Sequence, residues 1–275
     1  MDDNLKIFDL SDKTAVITGG AGVLGSRIAE ILGTAGATLA VCYHSTDITR
    51  LMEDLARKGI EAKSYYIDVM DKKKIKECHN DILSDFSSID ILVNTAGGNQ
   101  KDATTSDKLS FFALPLDALQ KVMSLNLFGG AILPAQVFGK TMAENKNGGS
   151  IINITSMNAI RPLTRIPGYS AAKAAVSNFT MWLSTYMAQE YNKDLRVNAI
   201  APGFFLTRQN HFLLFDKDEN LTERGASIIE HTPMGRFGNP EDLAGATIWL
   251  ASDASAFVTG TVIPIDGGFS AFSGV

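Results

Sequence analysis

Tyr169 and Lys173 stand four residues apart in Tyr-Ser-Ala-Ala-Lys, with Ser156 thirteen residues upstream. On a helix, residues four apart share a face, which sets an ammonium beside a phenol. A free tyrosine titrates near ~10, and an adjacent cation favours its ionised form. Such a pair exchanges protons closer to neutral pH and can serve as general acid or base at a carbonyl or an alcohol. Ser156 closes the apolar run Ser-Ile-Ile-Asn-Ile-Thr-Ser, which reads as a buried strand. Its hydroxyl can reach the phenol where strand and helix tips converge, and can hold a substrate oxygen. Taken alone, the pair has an ordinary reading as a lysine stem lying over an aromatic ring on a helix surface.

A second motif at the other end of the chain changes that weight. Lys13 to Gly25 reads Lys-Thr-Ala-Val-Ile-Thr-Gly-Gly-Ala-Gly-Val-Leu-Gly and runs into Ser-Arg-Ile-Ala-Glu-Ile-Leu. The pattern is strand, glycine-rich turn, amphipathic helix. Glycines let the backbone approach a pyrophosphate, and the free N–H groups and positive dipole end of the helix favour an anion there. Many glycine-rich turns are only tight turns; the strand before and the helix after make this one a candidate phosphate loop.

Together these segments resemble the short-chain dehydrogenase/reductase family over nearly the whole chain. The resemblance implies a Rossmann-type α/β fold and a catalytic set of Asn126 (in Asn-Leu-Phe-Gly), Ser156, Tyr169 and Lys173. Lys173 would lower the phenol pKa and hold the nicotinamide ribose, and Asn126 would position a proton-relaying water. A dinucleotide would lie along Gly19, Gly22, Val23, Leu24 and Gly25, with Asp68 and Val69 against adenine. Asn94, Ala96 and Gly97 of Asn-Thr-Ala-Gly, and Pro202, Gly203 and Thr207 on the nicotinamide side, complete the implied cofactor site. Val23 stands where the family keeps its middle glycine, and Gly22 supplies one a place earlier. Strand two ends in Tyr43-His44-Ser45, where NAD-preferring relatives carry an acid. That favours NADP(H) or dual NAD(P)(H) use, although no arginine is at hand for a 2′-phosphate.

Strand-like runs near 13–18, 37–43, 62–68, 89–94, 149–155, 195–200 and 260–265 alternate with helical stretches. This predicts a single α/β domain over 1–275, a doubly wound parallel sheet of about seven strands with helices on both faces. The helical patterns at about 115–143 and 168–191 carry apolar residues beyond one face, among them Phe128, Phe138, Phe179 and Trp182. Core burial accounts for them, and the family resemblance implies a share in pairing subunits as a dimer or tetramer. Net charge is −5 with no long basic run, which gives no reason to expect nucleic acid or an anionic membrane as partner. Two cysteines and an acidic N-terminus without an apolar core predict a cytoplasmic protein without disulfides. The four histidines are scattered without ligand spacing, so no metal is expected.

More specific segments, including Gly97-Gly98-Asn99, Ser156-Met157-Asn158-Ala159, Arg161-Pro162-Leu163-Thr164 and Asp266-Gly267-Gly268-Phe269-Ser270, resemble the D-mannonate oxidoreductase (fructuronate reductase) branch of that family. That implies reduction of D-fructuronate to D-mannonate. A uronate needs a cation for its carboxylate and amides or hydroxyls for its hydroxyl groups. Arg161, Arg165 and Arg208 are candidates for the first, and Asn99, Asn158, Gln209 and Asn210 for the second, alongside Ser156. Each arginine is equally readable as a solvated surface charge. The stretch at about 204–236, with Phe204, Phe205, His211, Phe212 and Phe215 among charged residues, is expected to form a substrate lid. Another polar ketone, such as a keto-gluconate or a ketose, would suit the same residue types. A dinucleotide-sensing protein without turnover is the reading from a different class, and it would have no need of the proton-transfer groups.

Overall fold

The apolar β-branched runs become strands: β1 (Thr14–Thr18), β2 (Thr38–Tyr43), β3 (Ala62–Tyr66), β4 (Ile91–Asn94), β5 (Gly149–Ile154), β6 (Leu195–Pro202) and β7 (Val262–Ile265). In the computed structural model, which describes residues 3–207 and 211–274, they form one parallel sheet in the order β3-β2-β1-β4-β5-β6-β7. The central strands β1, β4 and β6 are buried along their whole length, as continuous apolar runs require when both faces are covered. The edges behave differently. β3 (Ala-Lys-Ser-Tyr-Tyr) is mostly exposed, and β7 carries Pro264, whose missing N–H is tolerated on an edge strand.

The helices are α1 (Val23–Thr34), α2 (Thr49–Arg57), α3 (Lys72–Asp85), α4 (Leu116–Met123), α5 (Leu133–Glu144), α6 (Pro167–Glu190), α7 (His211–Leu214), α8 (Glu223–Glu230) and α9 (Ala244–Ala251). Alternation along each strand divides the core. Ile17, Leu39, Val41, Val93 and Ile152 face Ile28 and Leu32 of α1, Leu55 of α2 and Leu250 of α9. Val16, Ala40, Leu92, Ile151 and Val197 face Ile75 and Ile82 of α3, Phe138 of α5 and Leu183 of α6. Phe138 is fully buried, and truncating it to alanine would cost about 3–5 kcal/mol.

Not every apolar residue on the long helices is core. Phe128 and Trp182 are exposed, and Trp182 stacks on Tyr186 with ring centroids 4.9 Å apart. The span Leu116–Glu144 is by length and composition apolar enough to cross a membrane, with mean hydropathy 1.4, but half of that window is buried inside the fold. A π-helical segment, Ser124–Ile132, interrupts it between α4 and α5. Such segments recur at functional sites because they re-aim one side chain without ending the helix. Here Gly129 lets the helix approach Val69 and Met70 after β3, and Gly130 brings it close to the loop after β4, where a Cβ would stand 2.5 Å from the Ala96 carbonyl oxygen.

Strand order reverses between β1 and β4, which opens a crevice beyond their carboxyl ends. The loops after β1, β4, β5 and β6 all empty into that end, so residues far apart in the chain meet there.

Candidate active site

The glycine-rich turn leaves β1 at Gly19, which has φ +65 and so uses a conformation that favours glycine. A Cβ there would lie 2.8 Å from the Ala96 backbone nitrogen, and one on Gly25 would collide with the Gly19 carbonyl oxygen. The turn therefore packs backbone on backbone. Gly22 caps α1 without any side-chain hydrogen bond, and the first turn of α1 carries no acid. Val23, Leu24 and Gly25 thus present N–H groups that no capping side chain takes, at the positive end of a twelve-residue helix. This cradle fits a dinucleotide pyrophosphate, and replacing the family's middle glycine by Val23 leaves it open.

Around that cradle the expected cofactor residues divide into two kinds. Asn94 is buried, and its Nδ2 donates to Asn153 Oδ1 at 2.9 Å, so its side chain braces β4 against β5 instead of facing a ligand. Asp68 Oδ1 accepts from the Met70 N–H at 2.9 Å, which shapes the turn after β3 beside the buried Val69. Tyr43 and His44 both lie against the Tyr66 ring, 6.2 and 5.7 Å between centroids, while His44 and Ser45 are exposed. Gly203 donates its N–H to the Ile265 carbonyl, which fixes the turn after Pro202, and the Thr207 carbonyl accepts from the His211 N–H.

The four residues expected to carry catalysis lie at the same end of the sheet. Lys173 is 4% exposed and donates from Nζ to the Ile154 carbonyl at 2.8 Å. Burial lowers its pKa to about 8. Its Nζ lies 5.6 Å from the centre of the Tyr169 ring. Tyr169 was expected to have a lowered pKa, but burial pushes the phenol up, and a hydrogen bond with Ser156 opposes this only in part. Desolvation disfavours phenolate and ammonium alike, so it acts on both partners of the pair. Ser156 Oγ accepts the Asn158 N–H at 3.2 Å. Asn126, fully buried, donates from Nδ2 to the carbonyls of Gly98 (2.7 Å) and Val122 (2.8 Å) and accepts the Gly98 N–H at 3.1 Å. Its side chain therefore clamps the loop after β4. Gly97 completes the arrangement, since a Cβ there would lie 2.6 Å from Asn126 Oδ1 and 3.3 Å from Lys173 Nζ.

Beside Tyr169 lies a cavity of about 230 Å³ whose walls include Ser156, Asn158, Tyr169, Phe204, Leu213 and Leu214. From the stretch expected to form a lid, Phe204, Leu213 and Leu214 of α7 and Arg224 of α8 line this cavity. His211 is turned away, stacked on Phe215 and paired with Glu219 at 3.2 Å. Of the substrate candidates, Asn158 lines the cavity. Asn99 does not: it is exposed and donates to Thr104 Oγ1 at 2.8 Å within its own loop. Arg161 is spent on the C-terminal segment, where its Nε donates to the Ser270 carbonyl at 3.1 Å, and Arg165 is exposed outside the cavity lining. Arg208, Gln209 and Asn210 lie outside the described residues, as does the side chain of Phe212. The sequence reading missed Arg224, which does line the cavity. One signal was available: an arginine just after a helix start, the wrong end for the macrodipole.

With that geometry in place, likeness to known proteins is informative. A family model described as "Enoyl-(Acyl carrier protein) reductase", which belongs to the short-chain dehydrogenase/reductase group, matches residues 19–270. The chain is 44% identical to the uncharacterized oxidoreductase UxuB of Bacillus subtilis (strain 168) over 277 residues, 97% of this chain and 98% of that one. It is also 44% identical to a candidate D-mannonate oxidoreductase from Haemophilus influenza, solved with bound NAD, with TM-score 0.89 over 97% of this chain and 98% of that one. A candidate 2-deoxy-D-gluconate 3-dehydrogenase from Agrobacterium tumefaciens, solved with NADP, is 31% identical with TM-score 0.80, covering 96% and 99%. The seven-stranded parallel sheet agrees with these likenesses, and the chain belongs to the short-chain dehydrogenase/reductase family as an NAD(P)-dependent oxidoreductase.

Proposed function

We propose that the protein reversibly reduces the ketone of a hexuronate, converting D-fructuronate to D-mannonate. The observation that carries this reading is the small cavity at Tyr169, where a hydroxyl pair, a buried amide and a cation surround the place a polar ketone would occupy. When bound, the nicotinamide cofactor supplies the hydride for the carbonyl carbon. Tyr169, protonated at neutral pH because burial raises its pKa, gives its proton to the carbonyl oxygen as that oxygen gains charge. Ser156 already accepts the Asn158 N–H, which leaves its own O–H to donate to the same oxygen or to Tyr169. Lys173 sets a positive charge beside the ring, with Gly97 packed close to its Nζ. In the oxidative direction Tyr169 takes the proton back.

Absence of an acid from Tyr43-His44-Ser45 at the end of β2 supports use of both NADH and NADPH, in keeping with relatives that hold one or the other. Two free buried thiols suit the reducing interior of a cell. The exposed strip Trp182 and Tyr186, with Phe179 and Tyr191, supports a dimer or tetramer built through α6.

The test is loss of reduced-nicotinamide absorbance with purified protein, D-fructuronate, and NADH or NADPH in parallel. Turnover of fructuronate well above that of keto-gluconates and neutral ketoses is expected. Preference for another sugar-acid ketone, the class suggested by the 2-deoxy-gluconate relative, would keep the chemistry and change the substrate.

A further inference from the structure

We propose that Arg224 is the residue that holds the substrate's carboxylate and so selects acidic over neutral sugars. This rests on the reading of the cavity at Tyr169 as a sugar-acid site. Among the described residues that line that cavity, Arg224 carries the one charged side chain; no carboxylate accompanies it. In a protein of net charge −5, a cavity whose described lining holds a lone cation is built for an anion.

The backbone that carries Arg224 is held in place, and its side chain lines the cavity while remaining exposed to solvent. Thr222 caps α8 by accepting the Gly225 N–H on Oγ1 at 3.1 Å, and donates its own backbone N–H to the Leu214 carbonyl at 2.9 Å. A Cβ on Gly225 would run into that same carbonyl oxygen. α8 is thereby fixed close against α7, with Arg224 in its first turn facing the chamber that Leu213 and Leu214 help to enclose. An arginine near a helix N-terminus works against the dipole, a local cost that a bound anion reverses, because both the guanidinium and the free N–H groups then favour it. The Arg224 side chain makes no hydrogen bond or ion pair among the described residues, in contrast to Arg236, which is held in a fork by Asp242.

A second feature of the cavity points to the same class of ligand. Asn158 is 6% exposed, yet its Oδ1 has no partner among the described residues. A buried acceptor left unpaired is costly, and a substrate hydroxyl would satisfy it. An acceptor for hydroxyls, a fork for a carboxylate and the Ser156–Tyr169 pair for a carbonyl describe a polyhydroxylated keto acid, and they distinguish it from a plain ketone.

The experiment compares wild type, R224Q and R224K with saturating cofactor, on D-fructuronate and on neutral ketoses, and measures D-mannonate binding to the NAD(P)+-loaded enzyme by calorimetry. Loss of a charge-assisted fork should raise KM for the acid ten- to a hundredfold in R224Q, with a smaller change in kcat, and lower the acid-to-neutral ratio of kcat/KM at least tenfold. R224K should recover part of it. Turnover of fructuronate by R224Q with unchanged KM would overturn the inference and leave the proposed function standing. Preference of wild type for neutral ketoses over acids would overturn both. Should wild type turn over none of them, mannonate binding decides: binding that R224Q loses upholds the role of Arg224 while the proposed reaction falls, and equal or absent binding in both overturns it.

Discussion

Between β1 and α1 the site is made of backbone: glycines whose Cβ atoms would collide with neighbouring main chain, and helix N–H groups left uncapped. Across the cavity at Tyr169 it is made of side chains from four separate stretches, the β5 tip, the start of α6, the turn after β6 and the α7–α8 pair. The first region, the candidate dinucleotide cradle, depends on short-range spacing. The second depends on where the fold brings distant residues, which is how one architecture accepts many substrates. The two halves meet at Gly97, wedged between Asn126 and Lys173.

Mutations should respect that division. Tyr169→Phe removes the proton donor and should lower kcat by about 10²–10⁴-fold, with cofactor affinity measured by fluorescence titration changed little. An equal loss of cofactor affinity would show that the halves are not separable. Gly25→Ala should do the opposite, because its Cβ meets the Gly19 carbonyl and Thr95 Oγ1. Overpacking of about 1–3 kcal/mol should weaken cofactor binding roughly ten- to a hundredfold and lower Tm, leaving KM for the keto acid nearly unchanged at saturating cofactor.

Lys173 sharpens the comparison because it serves both halves at a cost to stability. Lys173→Met should reduce turnover severely yet raise Tm at pH 7, since a buried ammonium is replaced by an apolar chain of similar size. The net gain should be about 1–2 kcal/mol, because the hydrogen bond to Ile154 is lost as well. The folded pKa is depressed to about 8 while the unfolded chain keeps its proton to about 10.5. Below pH 8 the penalty is therefore present in full, and stability recovers as pH rises between those values. The Tm gap between variant and wild type should accordingly narrow from pH 8 upward; a gap independent of pH would mean the ammonium is not desolvated.

Activity should follow the phenol. With the Tyr169 pKa raised, ketone reduction should run well at neutral pH, and alcohol oxidation should climb as pH increases. Parallel pH profiles for the two directions would contradict this. Arg161→Gln should have the smallest effect, under about threefold in kcat/KM, because its contact is a partly solvated hydrogen bond to the Ser270 carbonyl outside the cavity. A tenfold rise in KM would extend the substrate half to the C-terminal segment.

Strand positions were legible within a few residues because buried parallel strands are apolar on both faces, and the glycine spacing of the cofactor loop is a local backbone requirement. Trp182 was readable as core or as a subunit contact, and only the packing of α6 shows that it faces outward. Arg161 and Arg165 lie close in sequence to the catalytic serine and tyrosine, which made them candidates, but the chain between Ser156 and Tyr169 turns their side chains away from the cavity lining.

What the sequence determined by itself was everything set by local rules: the α/β alternation, the phosphate cradle, and the Tyr169–Lys173 pair on one helical face. What tertiary structure decided was everything set by desolvation and by contact across long sequence separations. Burial raised the Tyr169 pKa and lowered that of Lys173, the π-helical segment turned Asn126 into a clamp, and the packing of α8 on α7 delivered Arg224 to the cavity. Solvent exposure and approach of remote side chains are properties of the packed chain, and no spacing within a single segment encodes them.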